Sequence, residues 1–278
     1  MKDDGWRNLL RKNNFIIGGS LLGIVMLAAL AGAIATPYDP IDIDAANLLA
    51  APSLAHWLGT DEWGRDVVSR LLKGAGTSVS IGLMTAVAAT LSGALLGATS
   101  AYLGGWLDRI VIAAMDALLA FPSLIMALAV VAVFSNSQYA VVLALSVAYA
   151  PSVVRVVRSA VLAMKRKDFV DASLVMGNSR AFTLYRHILP NTIATVIVLA
   201  TSLFGWALLA ESSLSFLGLG VPPPAPSWGG MLADSRHYFE DAPWLAIAPG
   251  LAISFSLLGT NLLGDALRDH FDPRMRNL

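Results

Sequence analysis

Long uncharged, apolar runs constrain this sequence more than any other feature. Residues 13–38 and 74–107 contain no Asp, Glu, Lys or Arg, and about 20 apolar residues are enough for a helix to cross the hydrocarbon core of a bilayer. Only 14% of the residues are charged and 56% are apolar, whereas roughly a quarter are charged in soluble domains. The sequence therefore predicts an all-α polytopic membrane protein.

Segments of this kind recur along the chain and predict six transmembrane helices. The expected spans are residues 13–38, 74–107, 110–134, 139–159, 191–216 and 244–263. The first is apolar for longer than the ~7–15-residue core of a cleaved signal peptide, so we interpret it as a retained anchor. The predicted organisation is an N-terminal segment (1–12), a transmembrane domain (13–267) and a C-terminal tail (268–278).

Basic residues indicate how the spans are oriented. Six spans put both termini on one side, and that side carries 15 of the 19 Lys and Arg residues. Because Lys and Arg accumulate in cytoplasmic loops, both termini are predicted to be cytoplasmic. Nine of the 19 acidic residues lie on the opposite side, so the zero net charge hides a strong asymmetry.

Residues 165–190 are the long basic segment on the predicted cytoplasmic side. The spacing predicts two short helices that meet at Gly177, the second capped by Ser179, with Pro190 in the first turn of the next span. Their apolar stripes are Phe169, Ala172, Val175 and Met176, then Phe182, Tyr185, Ile188 and Leu189. The segment is interpreted either as a surface loop held by lipid headgroups or as a docking element.

A motif within this segment favours docking. Asp171-Ala172-Ser173, then Gly177, then Ile188-Leu189-Pro190 resembles the EAA loop of ABC-importer permeases, with Asp for Glu and Ser for the second Ala. In that family the loop forms coupling helices that dock into a groove of a cytoplasmic ATPase. The resemblance implies a coupling role for Phe169, Asp171, Ala172, Ser173, Gly177, Phe182, Tyr185, Leu189 and Pro190.

Other stretches extend the resemblance over nearly the whole chain. Residues 56–61, 211–220 and 261–274 resemble the second, C-type permease subunit of the dipeptide/oligopeptide/nickel importer family. This implies a type I ABC-importer permease fold in the bacterial inner membrane and ATP-driven import by alternating access. The implied partners are a paralogous permease in a heterodimer, two ATPases carrying ATP and Mg, an external solute-binding protein and the lipid membrane. No cofactor on this chain and no nucleic acid is implied.

The implied substrate is a di- or oligopeptide. Related members import nickel, glutathione, opines or other peptide-like solutes, and no residue in the sequence separates these. A rival class is a proton-coupled secondary transporter, which would use Asp116 or Glu211, both within apolar runs, as a proton relay. The alternative places both acids near helix ends, where they reach water or a partner.

Catalytic motifs are missing from the sequence. It contains no HExxH, GxSxG or Walker A motif and no cysteine, and its four histidines lack metal-ligand spacing. An intramembrane enzyme, the second rival class, would need a nucleophile or paired acid that the sequence does not offer. We therefore predict a non-catalytic permease subunit without a metal site, with ATP hydrolysed by separate subunits.

Two further groups of residues are candidates for defined roles. Gly59 and Gly64 permit turns that would bring together charged residues of the outer loop (residues 39–73), either as an ion-pair cluster or as a substrate contact. Those residues are Asp61, Arg65 and Asp66. A second group recurs at every fourth position and predicts close packing of one helix on another: Ala89, Gly93, Gly97, Ala101 and Gly105.

Overall fold

The computed structural model describes residues 9–134 and 137–271, and the regular elements within them are helices. Residues 1–8 of the predicted N-terminal segment, the predicted turn at 135–136 and the tail beyond 271 lie outside the described residues. The helices are α1 (Asn13–Ile34), α2 (Val67–Leu103), α3 (Gly105–Leu119), α4 (Ser123–Val133), α5 (Gln138–Lys165), α6 (Asp168–Val175), α7 (Arg180–Thr183), α8 (Leu189–Phe216), α9 (Trp228–Ser235) and α10 (Trp244–Phe271), with a π-helical turn at Leu184–Ile188.

Five helices of the described chain are long and apolar enough to cross a membrane. They are α1, α2, α5, the helix running from α7 through α8, and α10. Helices α3 and α4 supply a sixth span if the pair is counted as one, but they are bent by 92°. The architecture therefore agrees with an all-α polytopic fold, with one interrupted span.

The prediction of a single, continuous third span was wrong. The first of its two helices begins at Gly105, so Asp108 and Arg109 lie inside α3 and not in a turn before it. The break follows from Pro122, which has an extended ψ of 133° and precedes the first residue of α4. Because the ring of a proline disfavours helical conformation in the residue before it, helices usually end at such a position.

Two other helices are longer than the predicted spans, α2 at its start and α5 at its end. Helix α2 begins at Val67, within the predicted outer loop, because the Asp66 carboxylate caps it by accepting from Ser69 N. Helix α5 continues to Lys165. Arg155 and Arg158 therefore lie inside α5, whereas the predicted span ended at residue 159, beside them.

Helices α2 and α5 form the most extensive helix–helix contact in the described part of the chain. A Cβ atom added at Gly93 would lie 2.5 Å from Val153 Cβ, and one added at Gly97 would lie 2.6 Å from the carbonyl oxygen of Val154. The helices approach this closely because glycine has no side chain at either point. Ala89 and Ala101 are also buried on α2.

Gly105 does not belong to this packing surface. Helix α2 ends at Leu103, and Gly105 opens α3 with a φ of +66° and no atom near its added Cβ. The four-residue spacing continued in the sequence beyond the point where the helix stopped. The packing surface therefore ends at Ala101.

We expect Gly97→Ala to lower the free energy of unfolding by about 1–3 kcal/mol, the usual cost of overpacking, because the nearest atom is backbone and cannot move aside alone. Gly23→Ala is the matched control, since a Cβ at Gly23 meets nothing within 4 Å. Unfolding of the detergent-solubilised protein followed by circular dichroism measures both. Equal stability of the two variants would contradict the close contact.

Candidate functional site

The segment between α5 and α8 turns sharply at Gly177. Its φ is +82°, and the amide of Gly177 donates to Leu174 O while the amide of Asn178 donates to Ser173 O, which closes the C-terminal end of α6. An added Cβ at Gly177 would meet no atom within 4 Å. The positive φ, not crowding, therefore requires glycine here.

The second half of the segment is not a separate helix. Ser179 Oγ accepts from Phe182 N at 3.2 Å, as the predicted N-cap, but α7 then continues through the π-helical turn into α8. The turn accommodates Pro190, whose ring would collide with the carbonyl oxygen of Arg186 in a regular α-helix. The amide of Leu189 instead bonds five residues back, to Leu184 O. Pro190 lies in the first turn of α8, as predicted.

One side of this segment is built into the bundle. Val170, Leu184 and Ile188 are buried in the same hydrophobic cluster as residues of α2 and α5. The hydroxyl groups of Ser173 and Thr183 lie 3.0 Å apart and are both buried, which joins α6 to α7. Ser173, which replaces alanine in the motif, therefore has a structural role, because its hydroxyl group bonds to that of Thr183.

The other side exposes large apolar side chains, which we name the coupling face: Phe169, Val175, Met176, Phe182 and Tyr185. Their exposed fractions run from 40% to 88%. Asp171, Ala172 and Pro190 are also exposed, whereas Leu189 is half-buried. The structure thus places Phe182 and Tyr185 outward and Ile188 inward, so the predicted second stripe divides between exposed and bundle-facing residues.

The outer loop holds a buried ion-pair cluster centred on Asp61. Its Oδ2 lies 2.7 Å from Arg65 Nε and 3.2 Å from Arg70 Nε. Asp66 does not join this cluster, because its carboxylate caps α2 and lies 2.9 Å from His56 Nδ1. Gly59 and Gly64, with φ of +73° and +75°, supply the turns as predicted. Arg70 was not predicted to belong to this cluster.

The same cluster borders an outward cavity of about 540 Å³ walled by residues 220–227 and by α9. Glu62 and Asp234 line it, and burial, as the largest cause, raises the pKa of both carboxyl groups. Helix α9 itself was not predicted, because Gly229 and Gly230 obscure its pattern. Its one sequence signal is Ser227, whose Oγ caps Gly230 N.

Glu211 is fully buried, which corrects the expectation that it reaches water or a partner. Ser215 Oγ donates to one carboxylate oxygen at 2.8 Å, and Ser78 Oγ lies 3.4 Å from the other. Ser78 Oγ also accepts from Trp228 N at 3.0 Å. The hydroxyl groups around Glu211 therefore join α8, α2 and the start of α9.

Two ion pairs attach α3 to α5. Asp108 binds Arg158 through both carboxylate oxygens, at 2.7 and 2.6 Å. Asp116 Oδ1 lies 2.7 Å from Arg155 Nη2. Asp116 was a candidate in the sequence, but its pairing with Arg155 was not predicted. In the residues described here, no group of three or more His, Cys, Asp and Glu is placed to hold a metal ion.

Five or six apolar helices long enough to cross a membrane, packed into one bundle, define a multi-pass membrane protein. Residues 91–277 match the family described as binding-protein-dependent transport system inner membrane component, and the chain belongs to that family. It is therefore a membrane permease component located in the inner membrane, which confirms the resemblance, the fold class and the permease function.

Relatives match the chain over nearly its full length. The dipeptide transport system permease protein DppC of Alkalihalophilus pseudofirmus is 37% identical over 276 residues, 98% of this chain and 91% of its own. The glutathione transport system permease protein GsiD of Pectobacterium atrosepticum is 37% identical over 273 residues, with the same two shares. A Brucella suis protein named provisionally for peptide transport is 42% identical over 270 residues, 97% of this chain and 91% of its own.

Glu211→Ala should destabilise the protein by about 1–3 kcal/mol, because it leaves buried hydroxyl groups without their acceptor. Glu211→Gln retains an acceptor oxygen and should cost less, and it should leave the pH dependence of transport unchanged. Thermal unfolding and uptake between pH 5.5 and pH 8 measure the two effects. Loss of a titration step in the glutamine variant, with assembly intact, would support a proton relay instead.

Proposed function

We propose that this chain is one of two permease subunits through which an ATP-driven importer carries di- or oligopeptides across the inner membrane by alternating access. The observation that carries the proposal is the coupling face. Large apolar side chains are exposed on a segment whose opposite side is fixed in the bundle core. Relatives named for dipeptide and glutathione transport support a peptide substrate, with glutathione as the alternative within the same class.

The proposed complex contains a paralogous permease, two cytoplasmic ATPases and a solute-binding protein on the outer side. ATP and Mg belong to the ATPases, which hydrolyse ATP, and this chain is not catalytic. Full burial of one large apolar side chain contributes roughly 1.5–3 kcal/mol. Phe169, Phe182 and Tyr185 are 40–57% exposed, so docking would bury about half of each and contribute a corresponding part of that free energy.

Movement of a docked ATPase reaches the membrane by a continuous route. Phe182 and Tyr185 belong to α7 and the π-helical turn, which continue into α8 without a break. The bond between Ser173 and Thr183 holds α6 to the same unit. Closing of the two ATPases therefore displaces α6 and the inner end of α8 together, which opens one side of the transport path and closes the other.

The proposed orientation places both termini and the coupling face in the cytoplasm. Since the chain contains no cysteine, single cysteines report on each side. Leu54→Cys should react with a membrane-impermeant thiol reagent added to intact spheroplasts, and Met176→Cys only after the membrane is opened. Both side chains are highly exposed. The reverse pattern would overturn the orientation.

Truncation of the coupling face should uncouple the complex without unfolding it. Phe182→Ala should weaken ATPase association by about three- to tenfold, because docking can bury the 46% of the side chain that is exposed, roughly half of the 1.5–3 kcal/mol for full burial. Leu54→Ala is the control, an exposed apolar residue of the outer loop. Reconstituted complex in proteoliposomes measures ATP hydrolysis and uptake side by side, with a panel of dipeptides, tripeptides and glutathione.

Two variants at Gly177 test the turn between α6 and α7 without changing any side chain of the coupling face. Gly177→Val is strained at positive φ, whereas asparagine tolerates this region. We expect Gly177→Val to insert and pair with the partner permease yet to lose uptake, and Gly177→Asn to retain most of it. Normal hydrolysis and uptake in Phe182→Ala and Gly177→Val would show that the segment is only a surface loop. Uptake without ATP would point to a secondary transporter.

A further inference from the structure

The Asp116–Arg155 ion pair lies at membrane depth. Arg155 precedes Lys165, the last residue of α5, by ten residues, which corresponds to about 15 Å of helix. Lys165, Arg166 and Lys167 mark the headgroup level at that end, and the hydrocarbon core is about 30 Å thick. Helix α5 has 28 residues and is about 42 Å long, so a core of about 30 Å placed anywhere along it includes Arg155, in the half of the helix nearer Lys165, and the aspartate bonded to it.

Both side chains of this pair are more than half exposed. Their exposed fractions are 58% for Arg155 and 53% for Asp116. The neighbouring pair, Arg158 with Asp108, has fractions of 30% and 18% and is held by two hydrogen bonds. The two pairs thus differ. The Asp108–Arg158 pair is a clamp between α3 and α5, whereas the Asp116–Arg155 pair exposes hydrogen-bond donors and acceptors on the surface of the bundle.

The surface around Arg155 is polar. Ser152 and Ser159 occur three residues before and four residues after Arg155, on the same face of α5, and both are at least partly exposed. Charged and polar groups at this depth are costly against lipid and usually face a water-filled cavity. This face of α5 is thereby distinguished from exposed apolar positions such as Leu91 on α2.

We propose that Asp116 and Arg155 line the aqueous path of the transporter and bind the charged termini of a peptide in transit. Arg155 receives the terminal carboxylate and Asp116 the terminal ammonium group. This inference rests on the proposed function and names the site at which that substrate is held. It assigns the Asp108–Arg158 pair no part in substrate binding.

The chemistry of the pair suits a zwitterion. The planar guanidinium group of arginine has donors spaced to bind a carboxylate through two bonds, and Arg155 donates to Asp116 through Nη2. In the empty path the two charges neutralise each other. An entering peptide replaces this contact with two equivalent ones, so that no charge is left unpaired at either stage.

Accessibility tests whether this face lines water. In the complete complex with its partner permease, ATPases and binding protein, Ser152→Cys and Ser159→Cys should react with a small, membrane-impermeant methanethiosulfonate. Leu91→Cys, about 18 Å from the inner end of its helix, should not. The best-transported peptide of the panel should slow labelling of both serine positions. Absence of labelling, or labelling that the peptide does not slow, would overturn the proposal.

Substitution tests binding. Arg155→Gln and Asp116→Asn should each raise the peptide concentration for half-maximal uptake by about tenfold or more, since each loses a charge-assisted bond. Arg158→Gln, the control in the clamp, should lower thermal stability without this rise. In Arg155→Gln, the C-terminally amidated peptide should be affected less than the free acid, and in Asp116→Asn the N-acetylated peptide should be affected less.

These outcomes separate the inference from the proposed function. Unchanged half-saturation in Arg155→Gln and Asp116→Asn, with ATP-dependent peptide uptake intact, would overturn the site and leave the importer assignment standing. A complex that transports no peptide at all in its wild-type form would overturn both. Equal loss of uptake for free and blocked peptides would also count against the site, because it would indicate a structural role.

Discussion

The close backbone contact between α2 and α5 positions the other parts of the molecule. Where Gly93 and Gly97 lie against Val153 and Val154, the two helices are held along much of their length, and Lys165 at the end of α5 reaches the carbonyl oxygen of Tyr102 at 2.8 Å. The segment after α5 therefore starts from a fixed point. Its buried residues extend the core that the two helices have already formed.

The segment that follows has two different surfaces, one buried and one exposed. Its inward residues pack as any protein core does, while its outward residues remain exposed although they are large and apolar. Solvent-facing apolar side chains gathered on one short element are typical of an interaction site. Helices α6 and α7 are short, and each is attached to the bundle by the residues of one face. The opposite face of each helix therefore stays exposed.

Local signals in the sequence were reliable where the chain itself determines the conformation. The turn at Gly177, the cap at Ser179 and the turns at Gly59 and Gly64 follow from backbone preferences of single residues, and the structure has them. Predictions failed where tertiary contacts decide. The burial of Glu211, the inclusion of Arg70 in the Asp61 cluster and the length of α5 each depend on groups distant in sequence. The charged residues Arg155 and Arg158 made the fourth predicted span end at residue 159, although both lie inside α5.

The unbroken helix from Arg180 to Phe216 has a mechanical consequence. It contains 37 residues, which makes it a rod of about 55 Å. Near its outer end Glu211 is bonded to Ser78 of α2, whereas its inner end carries Phe182 in the open. Leu184 and Ile188 also fix the inner end in the core shared with α2 and α5. The rod therefore cannot pivot alone, and a displacement at Phe182 has to carry α2 and α5 with it as one body.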